Sequence, residues 1–254
     1  MKKSFLVFIT LLCVTSAQSQ VLISLIFGDK LNSEYLEFGL DGGVNFSNLS
    51  NMEGTKANIG FNLGFYFDIG SKKYPNWMIN TGVVVKSPMG ADNLPVYSLN
   101  NEALDNVYVG GHVNREIRYF NVPILLKYKF KNHIFVKAGP EVALLAKAFD
   151  EFVNEINDAD VTYKNNIRDK IHVIDAGLAF GAGYRLMGGH GMNLGLTYYL
   201  GLVPVMKGDG PNIYNRSFYI TAGIPIGKGK AMKRAAEKEK AAKEAEKTGI
   251  PVAE

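Results

Sequence analysis

The chain has 254 residues, 47% of them hydrophobic and 20% charged, with a formal net charge of +4, and is long enough for one large domain or two small ones. Two lysines at the extreme N-terminus and a C-terminal tail with eight basic and five acidic residues account for that charge. The near-neutral body that remains has no basic footprint for nucleic acid.

The first residues, MKKSFLVFITLLCVTSAQSQ, join Lys2 and Lys3 to an apolar run from Phe5 to Val14 and small residues at Ala17 and Ser19. This is the pattern of a secretory signal peptide over 1–19, cut after Ala17 or Ser19, with 20–34 as a periplasmic N-terminal segment. Cys13, the single cysteine, lies inside the apolar run behind Leu12, which argues against lipid attachment and leaves the exported chain without thiol, disulfide or thiolate metal chemistry. No later stretch approaches the roughly 20 apolar residues of a membrane helix. Any crossing would be made by strands.

From Tyr35 onward a period of two recurs eight times. The first stretch sets Leu36, Phe38, Leu40, Val44 and Phe46 against Glu37, Gly39, Asp41, Gly43 and Asn45. The second, IGFNLGFYFDIG at 59–70, alternates Ile, Phe, Leu, Phe, Phe and Ile with Gly, Asn, Gly, Tyr and Asp. Comparable strands are predicted around Trp77–Lys86, Phe120–Phe130, Ile134–Leu144, Ile174–Arg185, Met192–Gly201 and Phe218–Ile226. Each has one large apolar face and one small, polar, glycine-rich face.

The connections alternate too. GSKKYPN, KN and MGGHG follow the second, fourth and sixth strands, whereas longer links follow the odd ones. Short turns at one end, long loops at the other and an even strand count predict an all-β fold, an eight-stranded antiparallel up-and-down transmembrane β-barrel over 35–227. An eight-stranded lumen is only just filled by side chains, so the glycine-rich polar face belongs inside and the Phe, Leu, Ile and Tyr face outside. A soluble lipocalin-like barrel would need the reverse.

Three segments resemble the PorT-like family of outer-membrane β-barrel proteins: LISLIFGDKLNSEYLEFGLDGGVNFSNL (22–49), EIRYFNVPILLKYKF with KAGPEVALL (116–145), and NRSFYITAGIPI (215–226). The resemblance implies location in the bacterial outer membrane and, through the namesake, an association with type IX secretion and gliding. It implies no role for a particular residue. The chain continues for 27 residues past Gly227, whereas outer-membrane barrels commonly end on an aromatic residue.

The inward face carries the candidate site: Glu37, Asp41, Asp68, Glu141 and Asp175 with Lys86, Lys127, Lys129, Lys137 and Arg185. Charges in a narrow lumen are costly unless paired, so five acids and five bases predict a salt-bridged plug, with a lysine such as Lys137 beside Glu141. A selective pore is the alternative. An enzyme would need a nucleophile beside a histidine base near the outer rim. His133 and His190 fall at the short turns; His112, expected in a long loop, and His172 have no serine two residues away. No catalytic, cofactor or metal site is therefore expected.

The link AFDEFVNEINDAD places Phe149, Phe152, Val153 and Ile156 at helical spacing, which allows a short amphipathic helix over the barrel mouth; it reads first as a solvated loop packing on its own apolar side and second as a partner-binding surface, and it lacks the spacing of a calcium loop. The tail at 228–254, rich in Lys, Ala and Glu, predicts a periplasmic helix from Ala231 to Lys247, stopped by Gly249 and Pro251. The expectation is a monomeric, non-enzymatic barrel in contact with outer-membrane lipid, with a structural or interaction role. The tail would offer a contact to cell wall or to a periplasmic protein. A narrow porin-like channel and an accessory factor of a type IX-like secretion system are the alternatives.

Overall fold

The computed structural model describes residues 33, 35–156, 158–189, 191–208 and 210–226. The expected signal peptide, nearly all of the 20–34 segment and the tail helix lie outside the described residues.

Ten strands form one antiparallel sheet: β1 Leu36–Leu49, β2 Asn58–Gly70, β3 Trp77–Lys86, β4 Pro88–Leu94, β5 His112–Lys129, β6 Ile134–Ile156, β7 Ala159–Asn166, β8 Ile174–Arg185, β9 Asn193–Gly201 and β10 Asn215–Pro225. Pairings run β1–β2–β3–β5–β6–β8–β9–β10 and return to β1, so the sheet closes on itself. Strand β4 takes over from β3 along the upper part of β5, and β7 takes over from β8 along the upper part of β6. Each stretch read as a strand lies in this ring; β4 and β7 are additional. No described helix is long and apolar enough to cross a membrane.

The connections at 71–76, 130–133 and 186–192 gather at one end, the turn end, together with the start of β1 and the end of β10. At Leu186–Gly189 the backbone turns through the left-handed region at Met187 and Gly188, with φ of 53° and 60°. The opposite, loop end holds the links 50–57, 95–111, 167–173 and 202–214, with the short helix α1, Glu102–Val107, capped by Asn101.

Two expectations are corrected at the loop end. AFDEFVNEI is strand, neither loop nor helix, because β6 continues to Ile156, paired with β5 as far as Val153 and with β7 from Phe149 onward. His112 is the first residue of β5 rather than part of a loop. Below AFDEFVNEI, Arg118 pairs with Lys147 but Tyr119 with Leu145, so Ala146 is an extra, bulged residue that flips the parity of β6 relative to its lower half.

The wall has two regimes. Around most of the ring the outward residues are large and apolar and face no protein; Phe61 is 51% exposed and Ile124 52%. The inward residues there are polar and buried, among them Asn45, Asn62, Asn80, Asn121 and Thr197. Large rings lie over inward glycines: a Cβ on Gly39 would come within 2.4 Å of the Tyr66 ring, and one on Gly183 within 2.3 Å of the Phe135 ring. Small against large is how a narrow barrel fills its interior. Toward the loop end the regimes exchange. Asn114, Glu116 and Arg118 now alternate outward, while Val113, Ile117, Ala148 and Phe152 turn inward and are buried. With Met89, Leu94, Tyr108, Ile167, Ile171 and Val205 they form a continuous apolar core, a lid over the interior.

Candidate functional site

Below the lid, the interior is a polar layer built from alternate residues of the ring strands. Near the turn end, Arg185 Nη2 lies 2.8 Å from Glu37 Oε2, an ion pair by distance although off the line of a hydrogen bond. The Tyr66 hydroxyl donates to Glu37 at 3.0 Å, and Asn193 Nδ2 donates to the Tyr66 oxygen at 3.2 Å. Lys127 Nζ donates to Asp68 Oδ2 at 2.6 Å; the other carboxylate oxygen accepts from Asn80 at 2.7 Å. The Lys127 ammonium also stands 4.3 Å from the centroid of the Phe135 ring.

Higher up, the pattern changes from ion pairs to amides. Glu141 accepts from Asn121 and Asp175 from Asn215, each at 2.7 Å. Asp41, Lys137 and Glu141 line a cavity of about 60 Å³ with Asn62, Asn80 and Tyr219; a second of about 20 Å³ adjoins Asp41, Lys127 and Lys137. These volumes hold a few waters. Tyr219, which also belongs to the lid core, roofs the larger one and bonds Ser87 at 2.9 Å.

Eight of the ten residues expected in the lumen face it: Glu37, Asp41, Asp68, Lys127, Lys137, Glu141, Asp175 and Arg185. Lys129 is half-buried at the turn end, near Gly189. Lys86 is a correction. It is exposed on the outer wall, with its ammonium 5.6 Å from the Phe61 ring. The register jumps there, Gly64 pairing with Val84 but Leu63 with Lys86, and the bulge turns Lys86 outward.

Sequence reasoning missed the pair inside the lid. Arg115 and Asp150 are buried and joined by two hydrogen bonds, Nε to Oδ1 at 2.8 Å and Nη2 to Oδ2 at 2.7 Å. The Tyr97 hydroxyl donates to Asp150 at 2.8 Å and accepts from Asn165 at 3.0 Å. Burial alone would lower the Arg115 pKa, but its bonds and charge contact with Asp150 outweigh that and raise it. Burial, then the Asp150 charge and hydrogen bond, push the Tyr97 phenol up to about 12. The alternation Val113, Arg115, Ile117, Tyr119 was the available signal. Among the described residues no cluster of His, Cys, Asp and Glu could hold a metal ion.

Residues 17–207 match the family described as outer membrane protein beta-barrel domain. No curated protein matches the chain. Among solved structures, the attachment invasion locus protein Ail of Yersinia pestis aligns with 76% of this chain and 99% of its own, at 12% identity and a TM-score of 0.37. OprG from Pseudomonas aeruginosa aligns with 77% and 96%, at 14% identity and a TM-score of 0.36. Neisserial surface protein A aligns with 76% and 99%, at 10% identity and a TM-score of 0.36.

Proposed function

The chain belongs to the outer membrane protein beta-barrel domain family, and on that premise we propose that it is an eight-stranded up-and-down transmembrane β-barrel. It is closed to ions, monomeric and non-enzymatic, and acts through its extracellular platform and its periplasmic ends. The carrying observation is the exchange of wall regimes: an exposed apolar belt surrounds a polar interior, and above the belt the same strands become polar outside and apolar inside. A chain solvated by lipid along one part of its length and by water along the next needs that exchange. The turn end faces the periplasm, with short turns and both barrel termini, and the lid faces outward.

Closure follows from filling. Ion pairs at Glu37–Arg185 and Lys127–Asp68 occupy the turn end of the lumen, the cavities above them hold only a few waters, and the apolar lid covers them. In planar bilayers the full-length protein is expected to give no stable unit conductance. An ion-selective current from the unmutated protein would replace this reading with that of a narrow channel. The PorT-like resemblance adds a second role, accessory to a type IX-like secretion machine, with the tail reaching cell wall or a periplasmic partner. Recovery of secretion components on purification from mildly solubilised membranes would support it, and isolation of the barrel alone would not.

A further inference from the structure

The outer wall changes chemistry abruptly on β5 and β6. On β5 the outward residues run Leu126, Ile124, Val122 and Phe120, all exposed, and then Arg118. On β6 they run Val142 and Leu144, then, past the bulged Ala146, Lys147 and Phe149. Arg118 and Lys147 are cross-strand partners directly above the row Phe120, Leu144 and Ile174. At about 3.3 Å per residue, they stand roughly 7 Å along the strand beyond the last apolar row. Lys164 on β7 and Arg168 in the following 3-10 turn complete a basic arc around an open groove of about 480 Å³, which Lys147, Phe149, Asn166 and the bulge also line.

Within that arc the cations are ordered but not neutralised. Arg118 pairs with Glu116, and Lys164 reaches Glu151 at 3.4 Å. Arg118 and Lys164 also flank the Phe149 ring, 5.3 and 5.2 Å from its centroid. Arg168 Nε donates to the carbonyl of Ala146, the residue that the bulge displaces, at 3.3 Å. Lys147 has no ion-pair partner among the described residues. Four cations against two carboxylates leave two net positive charges, set at the edge of an apolar surface.

We propose that this groove binds the phosphate of a phosphorylated acyl lipid in the outer leaflet. The phosphate sits among Lys147, Lys164 and Arg168, and the acyl chains lie along Phe120, Leu144 and Ile174. Charge complementarity and continuity with the belt select this occupant: an anion whose attached hydrocarbon runs downward meets cations above and apolar side chains below, whereas a soluble anion uses only the first. The proposal rests on the reading of the barrel as membrane-spanning with its lid outward.

The test is native mass spectrometry of the full chain in detergent, titrated with a diphosphorylated acyl-disaccharide, with the same lipid stripped of phosphate, and with inorganic phosphate. A basic residue near an anionic surface contributes on the order of fivefold in affinity. The double substitution Lys147→Gln with Arg168→Gln should therefore weaken the phosphorylated lipid by roughly 25-fold, on the same basis. The charge-keeping Lys147→Arg with Arg168→Lys should restore most of it, and the stripped lipid should bind weakly to every form. Equal binding of stripped and phosphorylated lipid, or inorganic phosphate binding as tightly as the lipid, would overturn the proposal. Thiol labelling of Asn100→Cys from outside intact cells checks the orientation separately. Labelling from outside together with phosphate-independent lipid binding sinks the site alone, and labelling only from the periplasm sinks the orientation beneath it.

Discussion

Arg115 and Asp150 face each other across β5 and β6, joined by two parallel hydrogen bonds inside the apolar lid. Breaking such a pair strands a charge among Val113, Ile117 and Phe152. Asp150→Asn or Arg115→Met should therefore destabilise the lid by about 3–5 kcal/mol. The expected sign is rapid protease cleavage in the 95–111 link while the heat resistance of the barrel persists. Unchanged protease resistance in both variants would mean that the pair does not hold the lid.

Tyr97 makes the lid sensitive to alkali. Its phenol ionises near 10 when exposed and is pushed up to about 12 in the folded lid, chiefly by burial and then by the Asp150 carboxylate. Between those values the unfolded lid has released a proton that the folded lid retains, so folding loses stability as pH rises. The contribution is whole below pH 10 and gone by about 12. Protease susceptibility of the 95–111 link should rise across that window in the natural chain. In Tyr97→Phe it should rise less steeply there.

The lumen carboxylates should differ in cost. Asp68→Asn removes the partner of buried Lys127 and should cost about 3–5 kcal/mol in unfolding from lipid vesicles. Glu141 lines the same small cavity as Lys137, the lysine expected beside it, and takes its hydrogen bond from Asn121. Glu141→Gln keeps an acceptor for that bond and should cost only about 1 kcal/mol. Denaturant titrations giving the reverse order would mean that Lys137, not Asn121, is the energetic partner.

The outer belt should reject charge. Leu178→Arg on β8 and Leu196→Arg on β9 place a guanidinium on the apolar exterior, at a cost of about 2–4 kcal/mol near the bilayer midplane. If both fold in lipid as stably as the parent, that surface does not lie in hydrocarbon.

Gly39 gives a steric test. A side chain there meets the Tyr66 ring, whose hydroxyl bonds Glu37 beside Arg185. Gly39→Val should cost about 1–3 kcal/mol by overpacking. Tyr66→Phe, which keeps the ring, should relieve none of it, whereas Tyr66→Ala should recover part; equal recovery by both would point to the hydroxyl rather than the ring.

The eight stretches with an apolar exterior were legible because period-two alternation marks a strand with two unlike faces, and the bulk of the apolar face against the glycine-rich one decides which of them a narrow barrel can hold inside. Those of the lid were not, although their alternation is just as regular. Above the belt the apolar residues occupy the inward parity, and the bulge at Ala146 shifts β6 by one residue. Past the bulge, Phe149 and Val153 fall on the outward parity and Phe152 on the inward one, so with Ile156 they imitate a helical stripe along one strand. Lys86 failed for the same reason, at the bulge opposite Leu63. Among the site residues, Glu37, Asp68, Lys127 and Arg185 could be placed by parity, but which acid meets which base depends on register and strand tilt, which composition does not encode.

The extension of β5 and β6 past the apolar belt changes what an encounter at the loop end costs. From Phe149 to Val153 the chain is paired on both edges, and Leu145, Ala148 and Phe152 pack into the lid, so the segment is not left as a free loop. Ordering a backbone residue takes about 1–2 kcal/mol of conformational entropy, and here that cost is met when the protein folds. A ligand reaching this platform meets a preorganised surface, so its affinity depends on the contacts it makes and little on tightening the protein.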